Sequence, residues 1–216
     1  MALKGRTVHK VWSIFTTLAV LSLLAGCAGR FDYVRPVTVE TPLHWLVVGK
    51  GRDEVWRQVA ALSIPDGFVL VGADKDTGVI TLTYSGNPEP YVDCGYITSY
   101  VKNVRGERRY QFAASTAATE YELMTGREIV SITRRMELDA RIAVTVTPIG
   151  DKDTRISAAA RYVLSRTMFV RDAQGGVQSI SHRINFTSDQ EGTFPGTVAC
   201  RPSGTLEAEA LSAFAP

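Results

Sequence analysis

The sequence predicts an α+β fold: a single domain, mostly an antiparallel β-sheet meander, with one packed helix after the first strand and a C-terminal helix. Residues 130–147 alternate between apolar and polar side chains, and the alternation resumes at 156–164 and again after Gly175. Period-two alternation is typical of half-buried strands, and clean alternation favours an antiparallel sheet with one face in the core. Amphipathic stretches at both ends of the domain indicate the two helices.

The first predicted elements are a strand, a helix and a hairpin. Residues 43–48 are predicted as a strand, and residues 53–65 as a helix that begins with two acidic residues. Residues 68–73 and 79–84 are apolar, β-branched runs separated by a polar turn that ends in glycine, which indicates a hairpin. The apolar stripe of the helix consists of Val55, Val59 and Leu62.

The middle of the domain is predicted as a long excursion over 85–126. Glycines and prolines interrupt its first part, the stretch 98–109 is polar and basic, and only 110–114 and 121–124 resemble strands. Long loops are often functional, so a partner surface is expected here. A final helix is predicted over 205–214.

The two longest strands also predict their own register. Residues 137–147 and 154–164 both carry apolar side chains at even positions, so opposed residue numbers must sum to an even value. Ile142 would then lie opposite Ala160, or every pair of the hairpin would be shifted by two residues from this register. The same register brings Arg141 near Arg161 on the outer face, where like charges are mildly unfavourable unless an acid or an anionic partner lies between them.

The N-terminus has the layout of a secretory signal peptide. Three basic residues precede an uncharged apolar stretch over 11–25, which is shorter than the about 20 residues of a membrane-spanning helix. The stretch ends in Leu24-Ala25-Gly26-Cys27, which resembles the lipobox of bacterial lipoproteins. The resemblance implies that residues 1–26 are removed and that Cys27 carries lipid. Residues 27–42 are then expected to form an extended tether, and residues 43–216 the domain.

The lipobox resemblance also implies a location. Two or three acyl chains anchor a protein stably to a membrane, whereas one holds only marginally. Ala28 stands where an Asp would resemble an inner-membrane retention signal, so the outer membrane is favoured, with the domain facing the periplasm. The cleaved chain keeps 21 Lys and Arg against 22 Asp and Glu, a net charge of −1, which gives no support to nucleic-acid binding.

Cys94 and Cys200 are the cysteines that remain if Cys27 carries lipid. In an oxidising compartment they are predicted to form a disulfide. The rival hypothesis makes Cys94 a nucleophile served by His182, although nothing near Cys94 resembles a catalytic signature.

The search for other chemistry favours a protein that is not an enzyme. The sequence has no nucleophile elbow, zinc-protease motif, Cys-x-x-Cys or phosphate-binding lysine loop, and no cofactor or metal site is predicted. Only His44 and His182 survive cleavage, too few for a His-rich metal site. His182 falls in the apolar phase of its strand, which favours a core or rim histidine and leaves a ligand pocket as the alternative.

Arginines on the polar phase of the long strands form the candidate partner surface. Arginine clusters suit phosphate or carboxylate partners. The alternative is a solvated face neutralised by Glu137 and Asp139. The arginines are Arg135, Arg141, Arg155, Arg161 and Arg183.

Residues 43–84, a striped helix ending at Pro65 and a hairpin that turns at Gly78, resemble the helix-grip modules of BamC-like outer-membrane assembly lipoproteins. The resemblance implies a non-enzymatic structural or assembly component of an envelope protein complex. The paired cysteines and the 85–126 stretch depart from that pattern. The alternative is an anchored module that binds a lipid or glycan against its sheet. A deep apolar pocket would favour the module, and an exposed patch on the hairpins or excursion would favour assembly.

Overall fold

A long β-hairpin forms the spine of the fold. The computed structural model of the chain describes residues 28–37, 44–126 and 128–214. Strand β9, Glu128–Ile149, pairs antiparallel with β10, Asp153–Arg171. Even-numbered side chains from Val130 to Val146 are buried and most odd-numbered ones are exposed, as the alternation predicts.

The predicted register of this hairpin is confirmed. Ile142 lies opposite Ala160, and Arg141 lies directly opposite Arg161. Equal parity keeps apolar side chains of both strands on the inner face, because a slip by one residue would place them against polar side chains.

Shorter strands extend the hairpin into a seven-stranded sheet. On one side, β4 (Val79–Gly86) and β8 (Ala118–Thr125) pair with different stretches of β9, and β3 (Phe68–Asp74) pairs with β4, as the predicted hairpin requires. On the other side, β2 (Trp45–Val48) and β11 (Val177–Thr187) pair with different stretches of β10. The edge of the sheet is therefore interrupted between β2 and β11.

Residues 28–34, predicted as part of an extended tether over 27–42, are extended but belong to a sheet. Strand β1, Ala28–Val34, pairs antiparallel with β6, Tyr96–Asn103, and β6 pairs with β7, Gly106–Ala113, in a separate three-stranded sheet. The sequence of β1 has few consecutive apolar residues and so carries no strong local strand signal. Its partner strand β6 lies about 70 positions away in the chain. Residues 35–37, which follow β1, have no regular secondary structure.

The prediction of a long excursion over 85–126 is wrong, since β6, β7 and β8 occupy most of it. Alternation is hidden in β6 because Ser99 takes an inward position between the buried Ile97 and Val101. The Ser99 hydroxyl donates to the carbonyl of Glu122, 2.5 Å away, which satisfies its polar group inside the core. The predicted strands near 110–114 and 121–124 lie within or overlap β7 and β8.

Two helices pack on the inner face of the hairpin. Helix α1, Arg52–Gln58, continues as a 3-10 turn, Val59–Ala61, and helix α2 is Thr205–Ser212. Val55 and Val59 are buried as the stripe predicts, although the helix ends before residue 65 because Leu62 is already extended. The architecture is mostly antiparallel sheet with two helices, in agreement with an α+β fold.

A third, small sheet completes the body. It consists of β5 (Val92–Asp93), β12 (Gly192–Thr193) and β13 (Ala199–Pro202). No helix in the described part of the chain is long and apolar enough to cross a membrane. The predicted signal peptide, the lipobox and Cys27 lie outside the described residues.

Candidate functional site

The predicted disulfide between Cys94 and Cys200 is present. Both cysteines are fully buried, and their Cα atoms lie 4.0 Å apart. This separation is shorter than the about 4.4 to 6.8 Å expected for a bridged pair. Because the Cys94 sulfur is bonded to Cys200, it is not the free thiol that the nucleophile hypothesis requires.

All five candidate arginines are exposed on the outer face of the sheet, opposite the helices, but they do not form one cluster. The Arg155 guanidinium stacks over the Trp45 ring, 5.1 Å from its centroid. Arg183 Nε donates to Ser165 Oγ at 3.3 Å, and Arg135 lies opposite Thr167. The structure thus separates these three from the remaining two.

Arg141 and Arg161 are direct cross-strand neighbours, flanked in the same row by Thr83 and Thr187. Neither forms a salt bridge or hydrogen bond through its side chain with any described residue. Asp139, expected to neutralise them, instead accepts a hydrogen bond from Ser85 Oγ at 2.8 Å. Neither guanidinium therefore forms a salt bridge with a described carboxylate, although Asp139 stands two positions from Arg141 on the same face.

A groove lies beside this arginine pair, where the edge of the sheet is interrupted. Its volume is about 500 Å³. Its floor is formed by Ala143 and Ala159, which lie opposite each other and whose small side chains leave room above the sheet. We name it the alanine groove; its charged and ionisable lining consists of His44, Arg141, Arg161 and Asp189.

The His44 ring borders the alanine groove at the start of β2. Its backbone carbonyl accepts a hydrogen bond from the Ala158 amide at 2.8 Å, which positions the residue on the edge of β10. Both ring nitrogens are buried without a hydrogen-bond partner among the described residues. A partner that reaches into the groove would find an unsatisfied imidazole at its side.

Two buried arginines were missed by sequence reasoning. Arg134 is 2% exposed and Arg166 is 7% exposed, and both occupy even, inward positions of the long strands. Arginine at a position where the alternation requires an apolar side chain is the sequence signal that could have identified them. Arg134 Nη1 donates to the Ala114 carbonyl at 2.9 Å, and Arg166 Nη2 donates to the Pro195 carbonyl at 3.2 Å. Each guanidinium thus holds a loop against the sheet.

The flat face of each of these guanidinium groups lies over an aromatic ring. Arg134 lies over Phe112 with 5.0 Å to the centroid, and Arg166 lies over Phe194 with 4.3 Å. Burial lowers the pKa of Arg134 to about 10 and also lowers the pKa of Arg166, since desolvation penalises the charged form. Their contacts assign them a structural role in holding loops.

The histidines and acids of the described residues give no metal site. No group of three or more His, Cys, Asp or Glu side chains in that part of the chain is arranged to hold a metal ion. His182, predicted as a core or rim histidine, is half-buried, and its Nδ1 lies 3.4 Å from Arg166 Nη2. It therefore lines the same packed region as the buried arginine.

Comparison with protein-family models, with curated proteins and with solved structures found no significant match to this chain. Function is therefore inferred from the geometry of the described residues together with the sequence motifs. The unpaired arginines beside the alanine groove are the feature of the outer face with the clearest chemical preference, which is for an anion.

Proposed function

We propose that this chain is an outer-membrane lipoprotein whose domain acts in the periplasm as a non-enzymatic structural or assembly component of an envelope protein complex. The lipobox at Cys27 supports the anchor. The main support for an interaction role is that Arg141 and Arg161, beside the alanine groove, form no salt bridge with a described residue. We propose that an acidic segment of a partner protein binds there.

The arrangement of charges supports an anionic partner. Like charges directly opposite each other on neighbouring strands are destabilising, and here no described carboxylate forms a salt bridge with either arginine, although Asp189 lines the same groove. Guanidinium groups bind carboxylates through two parallel hydrogen bonds, so a side chain on the partner could bridge both arginines. Ala143 and Ala159 would let the backbone of the partner approach the sheet closely.

The interior argues against a lipid- or glycan-binding module. The inner face of the sheet is filled by the core side chains and the two helices. The cavity between β2 and the helices, lined by Val55, Ile156 and Phe214 among others, has a volume of about 220 Å³. Ligand pockets commonly measure about 300 to 1,000 Å³, so this inner cavity is small for a ligand, whereas the alanine groove on the outer face lies within that range.

The exposed edge of the β3–β4 hairpin also favours protein contacts. Val69, Leu70 and Val71 are exposed on β3, which pairs with β4 on one side only. An apolar edge strand offers unpaired backbone groups to a second chain.

Charge reversal tests the proposal in the intact cell envelope. We expect Arg141→Glu and Arg161→Glu each to reduce recovery of the crosslinked partner in affinity purification from membranes. Arg135→Glu is the matched control, because it lies on the same strand and face, six positions from Arg141, and does not line the groove. The thermal midpoint should stay nearly unchanged in all three variants. Equal recovery in Arg141→Glu and Arg135→Glu would contradict the assignment of the site.

The anchor has its own test. Cys27→Ser should abolish incorporation of a labelled fatty acid and release the protein from membranes without detergent. A Cys27→Ser protein that still needs detergent for extraction would overturn the lipid anchor.

A further inference from the structure

Three β-hairpins turn at the same end of the molecule. Their turns follow β6, β8 and β10, and residues beside all three line a single cavity of about 690 Å³. We name this region the three-turn end. Its described residues include Val104, Arg105, Glu128, Ile129, Asp172 and Ala173.

The first described residue of the chain lies at the three-turn end as well. Ala28 pairs with Lys102, the last residue but one of β6, directly before the β6–β7 turn. Gly29 packs so closely on β8 that a Cβ atom there would lie 2.2 Å from Met124 Cβ. The start of β1 is therefore held against the neighbouring strands.

This placement bears on the anchor, because Cys27 is bonded directly to Ala28. Consecutive Cα atoms are about 3.8 Å apart, so a lipid on Cys27 would be attached one residue from the three-turn end. No spacer would separate the bilayer from the domain.

We propose that the three-turn end rests on the phospholipid surface, with Val104 inserted at the interface. This inference depends on the proposed lipid anchor. Val104 is 88% exposed at the tip of the β6–β7 turn, and burial of its side chain in lipid would remove apolar surface from water. The side chain of Arg105 beside it forms no hydrogen bond or salt bridge with a described residue, and a guanidinium suits lipid phosphates.

The charge of this end indicates how the contact is made. Lys102 pairs with Glu107 at 2.5 Å, and Arg108 pairs with Glu122. These two cations are paired, and the acids Glu128 and Asp172 lie here with the cations Arg105 and Arg171, so the described part of this surface is not strongly basic. The covalent lipid and Val104 therefore hold the domain in place, and the contact does not require anionic lipid.

The orientation sets the height of the partner site. Arg141 lies thirteen positions along β9 from Glu128, which corresponds to about 40 Å in an extended strand. The alanine groove would then lie well above the headgroups of the anchoring membrane. With β9 directed away from the bilayer, lipid of the same membrane is out of reach of the groove, which supports the proposed protein partner.

Tryptophan quenching by brominated phospholipid tests this orientation in the mature lipidated protein, reconstituted in vesicles of brominated phosphatidylcholine. We expect Val104→Trp to lose most of its added emission relative to the parent protein, whose Trp45 and Trp56 provide the background. Val71→Trp is the matched control, because Val71 is also an exposed valine but lies on β3, which joins the sheet through β4 near Ile142. Its added emission should be unaffected.

Equal quenching at both positions, or at neither, would overturn the orientation. Fatty-acid labelling of the same preparations separates this result from failure of the anchor. A labelled protein without quenching at Val104→Trp refutes the orientation and leaves the anchor intact, whereas an unlabelled wild-type protein refutes the anchor and the orientation with it. An unchanged thermal midpoint of Val104→Trp shows that the exposed turn tolerates the substitution.

Discussion

The hydroxyl of Tyr162 lies 2.8 and 2.9 Å from the two carboxylate oxygens of Glu207, and both residues are fully buried. Ser188 Oγ donates to the same carboxylate at 2.6 Å and also accepts a hydrogen bond from the Ala160 amide at 2.6 Å. Glu207 thereby joins α2 to β10 and to the segment that leaves β11. This segment borders the alanine groove, so the network supports one wall of the candidate site.

Glu207→Ala should destabilise the fold more than Glu207→Gln. The alanine leaves the buried hydroxyl of Tyr162 without its acceptor, at a cost of about 1 to 3 kcal/mol for an unsatisfied buried donor, and it removes one of the two acceptors of the Ser188 hydroxyl. The glutamine keeps one acceptor oxygen. Urea denaturation measures the free energy of unfolding of each variant. Equal values for the two variants would mean that the carboxyl group does not organise this region.

Stability should fall as the pH rises above about 10, the usual pKa of tyrosine. Desolvation, followed by the nearby Glu207 carboxyl, raises the pKa of Tyr162 in the fold. The unfolded chain then releases a proton that the folded chain keeps, so the contribution of Tyr162 is complete below the unfolded pKa and is lost above it. Tyr162→Phe should make the alkaline loss shallower while lowering stability at neutral pH.

Thermal midpoints between pH 8 and about 11 test this expectation. Tyr96→Phe is the control, because Tyr96 is exposed on β6. An alkaline slope that is the same in Tyr162→Phe and wild type would exclude Tyr162 as its source.

Gly95→Ala should loosen the attachment of β1. Gly95 has a φ of +77°, and a Cβ atom there would lie 2.0 Å from the Val34 carbonyl oxygen. Gly175→Ala is the matched control, since Gly175 has a φ of +87° with no atom within 4 Å of the added Cβ. The two variants share the backbone strain, and only Gly95→Ala displaces a neighbouring strand.

Hydrogen exchange locates the effect of these two substitutions. We expect faster exchange of β1 and β6 amides in Gly95→Ala, with a larger loss of thermal stability than in Gly175→Ala. Unchanged exchange in β1 would show that the strand yields to the methyl group without leaving its partner.

Local periodicity accounts for what could be predicted of the long hairpin. Side chains of β9 and β10 alternate between two faces, so the phase identified the strands and the even parity of their register, although Arg134 and Arg166 interrupt it. The opposition of Arg141 and Arg161 is one of the registers that this parity allows. The disulfide was predicted from the number of cysteines and not from periodicity. If Cys27 carries lipid and the domain lies in an oxidising compartment, the other two cysteines have only each other as partners.

The candidate site was predicted only in part. The phase of the strands placed five arginines on the outer face, but salt-bridge and hydrogen-bond partners depend on which segments flank the sheet. The gap between β2 and β11, which creates the alanine groove, has no local signature. Arg134 and Arg166 were missed because a guanidinium becomes tolerable in the core only when distant loop carbonyls and aromatic rings surround it.

The amino-acid sequence by itself determined the alternation of β9, β10 and β11 and the two helical stripes, and it predicted the cysteine pairing and a lipobox. These features depend on neighbouring residues or on composition. Only the tertiary structure decided that Ala28–Val34 is a strand paired with β6, that the stretch over 85–126 is mostly sheet, and that Arg141 and Arg161 stand beside an open groove. Pairing between distant segments is decided by the backbone hydrogen bonds and burial that become available when the chain folds, and no short window of sequence records them.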